Sequence, residues 1–528
     1  MNTIKSTIDE LYKNKTKLLF FIVILFISQF AIQYRTAIWP KIYIAITLVI
    51  LVVLFSCLRL RNSNALAKNT FLLIMCLGTI NLLAMPVRQD LDENTHFFYA
   101  LQIADGKIFT RYTEKEYLSI APNFLEETKL PSRPEYQSTR NTNLYTKEFL
   151  KIRNQKADYS KLKKPALGIA NPVYLPSAIG ISIGRIISPY FFVSYYLGRF
   201  FNLLTFGFMA FCAIKISRKY KLALLFMCTV PYTLWITAGY NYDSFYYGLS
   251  LLCMAQLTNI FSKKRLTFRE LILYDITCLA FVFCKAPVIL LMGIPLFLPK
   301  NYFNSTKFKI KSFIISIIGL VLAASWMISG TLVSIFQKSF GRVGVDNTVQ
   351  TQLTSENRLS YFIAHPISTV EMLMRSLFDV LATIFGSITS PHPFIQYGIS
   401  AISLINIFII IIMLLIVSYY LQIEVVRNAK IAIILSVCVI TIGMIYAISG
   451  DGRVFTIGNL HVPGVQGRYH YYLLGFIPLF LSPVIKKTFS YREEPLSSSK
   501  KEEIYSLVFN LALLMVYINT CVGIFGYL

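Results

Sequence analysis

The chain has 528 residues, 55% of them hydrophobic and only 15% charged, with a mean hydropathy of +0.57, which excludes a soluble domain of this length. A net charge of +25 would suit a nucleic-acid binder, but the Lys and Arg residues fall in short clusters between apolar runs without an aromatic-plus-basic motif, so no nucleic acid is expected as a partner. Apolar stretches of about 17 to 25 residues match a hydrocarbon core of roughly 30 Å and must be helical, because lipid offers no partner to an open backbone amide. The sequence therefore reads as an all-α polytopic protein of a plasma membrane.

The first apolar run begins near Lys17 and lacks a small-residue cleavage site, so it reads as a retained helix. With Lys5, Lys13, Lys15 and Lys17 on the cytoplasmic side, runs at 18–34, 42–58 and 70–87 divide residues 1–87 into three crossings and leave residue 88 outside. Residues 88–190 form a large external loop. It opens with the acidic stretch DLDENTHFFYALQIADGK and closes with PVYLPSAIGISIGRII, near 172–187, which is short and interrupted by Pro and Gly and so predicts a re-entrant or surface helix.

Residues 191–335 supply a central bundle, with crossings at 191–214, 222–239 and 244–262, a short hairpin at 271–299, and a crossing at 312–335. A second external segment covers 336–396, and its stretch EMLMRSLFDVLATIFGSIT again predicts a re-entrant or surface helix. Residues 397–528 hold crossings at 397–421, 431–449, 469–485 and 505–527, with the external loop DGRVFTIGNLHVPGVQGRYH between two of them. About 13 crossings result, or about 11 if the hairpin does not insert fully. Every later basic cluster, from Lys215 to Lys501, then faces the cytoplasm, and His96, His365, His392, His461 and His470 all lie in or beside external segments. The nine cysteines sit in or beside apolar runs without metal-ligand spacing, so neither a disulfide nor a metal site is expected from them.

Polar chemistry thus concentrates on one face. In DENTHFFYALQIADG, Asp92, His96, Tyr99 and Ile103 share one side of a helix by i, i+3 and i+4 steps, and Phe97, Ala100, Leu101 and Ala104 share another. Adjacent acids at a membrane surface suit a general base, one carboxylate taking the proton while another orients the acceptor; they also suit a plain helix cap. Arg199 lies inside a crossing, where a charge is costly enough to suggest a function unless it pairs with a buried acid. Lys285 sits at the external apex of the hairpin, and Asn241, Tyr242 and Asp243 occupy a very short external turn. Asp243 is suited to hold a sugar hydroxyl or to pair with Arg199. Arg468, Tyr469 and Gln466 open the last crossing but one, and tyrosines such as Tyr174 and Tyr240 suit sugar stacking or simple interface anchoring.

These segments resemble the bacterial membrane family catalogued as domain of unknown function 2142. The shared marks are the DE-x-x-HF pattern at 92–97, NPVYLP at 171–176, LGRFFNLL at 197–204, PYTLWITAGYNYDS at 231–244, CKAP at 284–287 and QGRYHYYLLGFIPL at 466–479. The proline often found after the DE pair is Asn94 here, and an extra acid, Asp90, precedes the pair. The family is grouped with the GT-C glycosyltransferases. The resemblance therefore implies a GT-C-like bundle and transfer of a sugar from a polyprenyl phosphate to a cell-surface glycan or lipid-linked acceptor on the outer face. It assigns Asp92 as base, assisted by Glu93 or Asp90, and places Arg468, Arg199 and Lys285 at the phosphate, with His96, Asp243, Gln466 and Tyr469 as further substrate contacts. No cofactor is required, although a divalent metal is compatible with the chemistry. Two other readings stand beside this one: a transporter or flippase of polyprenyl-linked glycans, and a polysaccharide polymerase.

Overall fold

The computed structural model of the chain describes residues 12–36, 65–85, 87, 90–111, 149–161, 166–167, 169–339, 355–390, 401–452, 454–489 and 497–526, with the single residues 9 and 50. The expected crossing at 42–58, much of the external loops and His392 lie outside the described residues. Among those described, the architecture is a helical bundle with one two-stranded antiparallel ribbon, β1 (Thr110–Arg111) and β2 (Ala166–Leu167), in which Thr110 faces Leu167.

In chain order the helices are α1 (Lys15–Thr36), α2 (Leu66–Ala84) and the short α3 (Glu93–Ala104); then α4 (Leu175–Ile187), α5 (Phe191–Ile216), α6 (Lys221–Thr229), α7 (Pro231–Ile236), α8 (Asp243–Lys263) and α9 (Phe268–Leu279). They continue with α10 (Thr306–Ser339), α11 (Ser355–Ala364), α12 (Pro366–Thr389), α13 (Ala401–Tyr419), α14 (Arg427–Ile448), α15 (Ile477–Thr488) and α16 (Ser498–Gly526). Seven helices among the described residues are long and apolar enough to cross a membrane: those of α2, α5, α10, α12, α13, α14 and α16. The chain is thus a multi-spanning helical membrane protein.

Among the described residues, which leave out the crossing expected at 42–58, some expected crossings are broken, and the backbone shows why. The crossing expected at 222–239 is two pieces, α6 and α7, because Pro231 offers no amide to continue the helix and takes the first position of a new one. The one expected at 469–485 is a 3₁₀ stretch, Gly467–Gly475, with non-helical dihedrals at His470, followed by α15. The hairpin at 271–299 pairs α9, opened by a Thr267/Glu270 capping box, with a 3₁₀ segment, Ala286–Phe297. A 3₁₀ rise of roughly 2 Å per residue stretches those 12 residues to about 24 Å, near the thickness a span needs.

The two segments expected to be re-entrant or superficial behave differently from each other. α4 has 13 residues, about 20 Å, too few to cross. It folds back along the start of α5, where Gly180 lies against the Leu197 backbone and Gly184 against Ser194; a Cβ at either position would sit 2.3 Å from main-chain atoms. α12 is a continuous helix of 24 residues with spanning length and composition. Its polar partners, however, belong to the loop that precedes Arg468: Ser376 accepts from the Val462 amide, Asp379 meets His461 at 2.7 Å, and Thr383 accepts from the Gly467 amide.

Lipid, not water, explains the outer surface. Phe313, Val321, Phe408, Ile434 and Val439 are all more than half exposed on α10, α13 and α14, an arrangement that costs nothing against acyl chains. At one end of the bundle the basic clusters meet. Lys264 pairs with Glu424, Lys263 with Glu270, and Lys17 donates to Asn510. The polar segments that carry Asp92, Asp243, Lys285 and Arg468 converge at the other end, around the start of α8.

Because α4 and α5 touch backbone to backbone, Gly184→Leu should lower the thermal midpoint of the detergent-solubilised protein by an overpacking cost of about 1–3 kcal/mol, while Ile186→Leu, on the exposed side of the same helix, should leave it unchanged.

Candidate functional site

The site is built on a buried ion pair. Glu93, the first residue of α3, and Arg199, in the third turn of α5, are 1% and 0% exposed. They meet in a two-pronged contact: Nε donates to Oε1 and Nη2 to Oε2, each at 2.7 Å. Nη1 donates to the carbonyls of Met85 at 2.6 Å and Leu82 at 3.3 Å, at the C-terminal end of α2, where the last turn of a helix leaves carbonyls without internal partners. Tyr195 Oη lies 3.5 Å from Nη2, and the guanidinium stacks over the Tyr195 and Tyr196 rings. All five N–H groups of the arginine thus have an acceptor within the fold. On the other side, Glu93 accepts from the backbone amides of Asp90 and Tyr240.

That pair positions the loop before α3. Asp90 is fully buried against Gly239, where a Cβ would fall 2.0 Å from its carboxylate, so only glycine admits it. Its Oδ2 accepts from Asn241 Nδ2 at 2.6 Å and its Oδ1 from the Leu91 amide. Burial, with Glu93 beside it, pushes the Asp90 carboxyl well above the usual carboxylate range. Asn202 of α5 braces the same turn by donating to the carbonyls of Gly239 and Asn241.

Asp92 is different. It adopts a left-handed backbone, φ +55°, at the position preceding α3, and among the described residues its carboxylate is exposed and caps no helix amide. The charges of Asp92, Asp243, Arg468 and Lys285 all bear on His96 one turn along, whose Nδ1 is 2.7 Å from Tyr174 Oη and whose ring packs on Tyr242. Burial lowers the His96 pKa to about 4, so the ring is neutral at physiological pH. Tyr174 is set by the NPVYLP segment: the Asn171 side chain accepts from the Val173 amide and donates to the Phe283 carbonyl at 2.6 Å, tying this loop to the hairpin that carries Lys285.

Two cations complete the cluster. Arg468 donates through Nη1 to Asp243 Oδ2 at 2.9 Å and through Nε to Gln466 Oε1 at 2.5 Å. The second oxygen of Asp243 is buried without a hydrogen-bond partner. Lys285, at the hairpin apex, donates to Tyr242 Oη at 2.6 Å and stands 3.4 Å above the Tyr469 ring. No carboxylate lies within ion-pair distance of its ammonium among the described residues. Burial lowers its pKa to about 7, with Arg468 adding to the effect and Asp243 opposing it.

The candidates read from the sequence therefore gather at one end of the bundle, but in two separate sets. Glu93 and Arg199 satisfy each other inside the protein, and Asp90 is walled in beside them. Asp92, His96, Asp243, Lys285, Gln466, Arg468 and Tyr469 share a second, aromatic-lined cluster. Asp243 does not pair with Arg199, which is taken by Glu93; Arg468 holds the aspartate instead. His461 and His365 lie apart, paired with Asp379 and packed on Tyr361 respectively. Asn202 and Gly239 are not marked by the sequence: nothing local in the NLL and AGYN segments reveals that one braces the turn occupied by the other. Among the described residues no group of three or more His, Cys, Asp or Glu side chains is placed to hold a metal ion.

A multi-spanning helical membrane protein with a cluster of acids, cations and aromatic rings at the end opposite its basic face is the class that fold and site define. The chain belongs to the family described as Predicted membrane protein (DUF2142), whose family model matches residues 75–480 and takes in every segment that builds the cluster. No curated protein matches the chain, and no solved structure does.

Removing one member of a buried, two-pronged pair strands the other in a low-dielectric interior. Arg199→Met should therefore destabilise the protein by about 3–5 kcal/mol in detergent unfolding, and Arg199→Met combined with Glu93→Gln should recover part of that loss.

Proposed function

We propose that this protein is a glycosyltransferase of GT-C type that moves a sugar from a polyprenyl-phosphate donor to a hydroxyl of a cell-surface glycan or lipid-linked acceptor. The observation that carries the reading is the convergence of an exposed carboxylate, Asp92, with the buried cations Lys285 and Arg468 around one neutral histidine. Such a site provides a base beside an anion-binding corner, which is what displacement of a lipid phosphate demands.

In this mechanism Asp92 takes the proton from the acceptor hydroxyl as its oxygen attacks the anomeric carbon. The bond from that carbon to the phosphate oxygen breaks, the configuration inverts, and polyprenyl phosphate leaves with the electron pair. Lys285 and Arg468 meet the charge that accumulates on the leaving phosphate. Asp243 and Gln466 orient Arg468, and its buried partnerless oxygen gives Asp243 a remaining acceptor for a sugar hydroxyl. His96, Tyr174, Tyr242 and Tyr469 supply the wall against which a sugar ring packs. Glu93 and Arg199 take a structural part, since each already satisfies the other, and the enclosure of Asp90 leaves Asp92 as the acid of the three that is open to an acceptor. Collection of the basic clusters at the far end favours an extracytoplasmic site, because Lys- and Arg-rich ends are retained in the cytoplasm.

Purified protein in lipid, supplied with synthetic polyprenyl phosphosugars and a hydroxyl acceptor, should release polyprenyl phosphate. Asp92→Asn should reduce the rate by at least about a hundredfold, within the range for loss of a general base, and leave donor binding intact. Release unaffected by this substitution would remove the base from the mechanism, and lipid-sugar translocation that survives it would support a transporter instead.

Donor affinity should also depend on pH. Lys285 loses its proton as pH rises through about 7, and a bound phosphate favours the charged form, so affinity should fall by up to about tenfold per pH unit above that point. Lys285→Arg, charged throughout, should flatten the profile in an equilibrium binding titration.

A further inference from the structure

A second charged recess lies at the opposite, basic end of the bundle. It is a partly open cavity of about 250 Å³ where α6, α13 and α16 meet. Leu222, Ala223, Val417, Leu421 and Ile504 contribute apolar lining, and Arg218, Lys219 and Lys501 bring three cations to it. Tyr420, Tyr505 and Gln422 add polar groups suited to hydrogen bonding.

Among the described residues no ion pair neutralises these cations, although the charge of Glu502 bears on Tyr505 of the lining. Among the described residues no carboxylate lies within ion-pair distance of Arg218, Lys219, Lys221 or Lys501, and Lys221 stands close enough to Lys501 for the two charges to repel. Elsewhere at this end the bases are paired: Lys263 with Glu270, and Lys264 with Glu424. Like charges held around a recess without a counter-ion attract an anion. The volume is below the range of about 300–1,000 Å³ that takes a drug-sized molecule, and suits a headgroup or a small phosphate. Position at a membrane–water boundary, with apolar lining beside cations, fits the end of an amphiphile.

We propose that this recess is an anion site for a phosphate-bearing ligand, filled by the headgroup of an acidic phospholipid or by a free phosphate ester. It is remote from the Asp92 cluster and independent of the sugar-transfer reading.

The test uses the full-length protein in nanodiscs, with phosphatidylglycerol binding measured against phosphatidylcholine. The variant Arg218→Ala/Lys219→Ala/Lys501→Ala should bind phosphatidylglycerol roughly a hundredfold more weakly, as three lost basic contacts imply. The control Lys300→Ala/Lys307→Ala, which removes charge from the same end outside the recess, should bind as the parent does, and Lys219→Arg/Lys501→Arg should retain binding. Inorganic phosphate added as competitor separates the two sources: a lipid occupant resists it, whereas a small phosphate ester is displaced. If the recess variant and the control bind phosphatidylglycerol equally and also bind inorganic phosphate equally, the proposal is overturned.

Discussion

The buried contact between Glu93 and Arg199 is the constraint on which the rest of the site depends. A lone charge in the interior of a membrane bundle would cost several kcal/mol, and here each ion is compensated by the other and by backbone groups that would themselves lack partners. The arginine closes the end of α2 through two carbonyls; the glutamate gathers the amides of Asp90 and Tyr240. One interaction therefore joins the end of α2, the start of α3, the third turn of α5 and the turn leading into α8. Two of these, the start of α3 and the turn into α8, carry Asp92, His96 and Asp243 of the neighbouring polar cluster.

Spending one arginine and one glutamate on the frame changes how the remaining charges are read. Lys285 and Arg468, the latter held by Asp243, remain as the buried cations of the cluster, and Asp92 as its exposed acid. The left-handed backbone at Asp92 has the same origin. The chain must turn sharply between the enclosed Asp90 and the anchored Glu93, and of the two residues between them Leu91 is buried while Asp92 points outward. In the proposed reaction this divides the labour, because the groups that hold the geometry, Glu93 and Arg199, would not have to exchange protons with the acceptor.

The irregular backbone has a related logic. Non-helical segments are tolerated at membrane depth only where protein covers them, and the interrupted segments here, α6–α7, Ala286–Phe297 and Gly467–Gly475, are largely buried. Each break or apex delivers a side chain or turn to the cluster: the 239–243 turn after α7, Lys285 before Ala286–Phe297, and Arg468 at the start of Gly467–Gly475. Straight helices on the lipid-facing side, such as α13 and α14, carry no such breaks and contribute none of these residues.

The sequence by itself determined the membrane class, the positions of the long spans and the collection of basic clusters at one end, because hydrophobic length and charge asymmetry are local properties that the bilayer reads directly. It also marked Asp92, Lys285 and Arg468 as notable, since charges beside apolar runs stand out without any knowledge of their neighbours. It did not reveal that Pro231 and His470 interrupt crossings that look continuous in hydropathy, nor that α12, despite its spanning composition, binds the loop before Arg468. Only the tertiary structure decided which acid meets which cation. Glu93 lies 106 residues from Arg199 and Asp243 lies 225 from Arg468, and pairing over such separations is settled by how the helices pack, which no local pattern encodes.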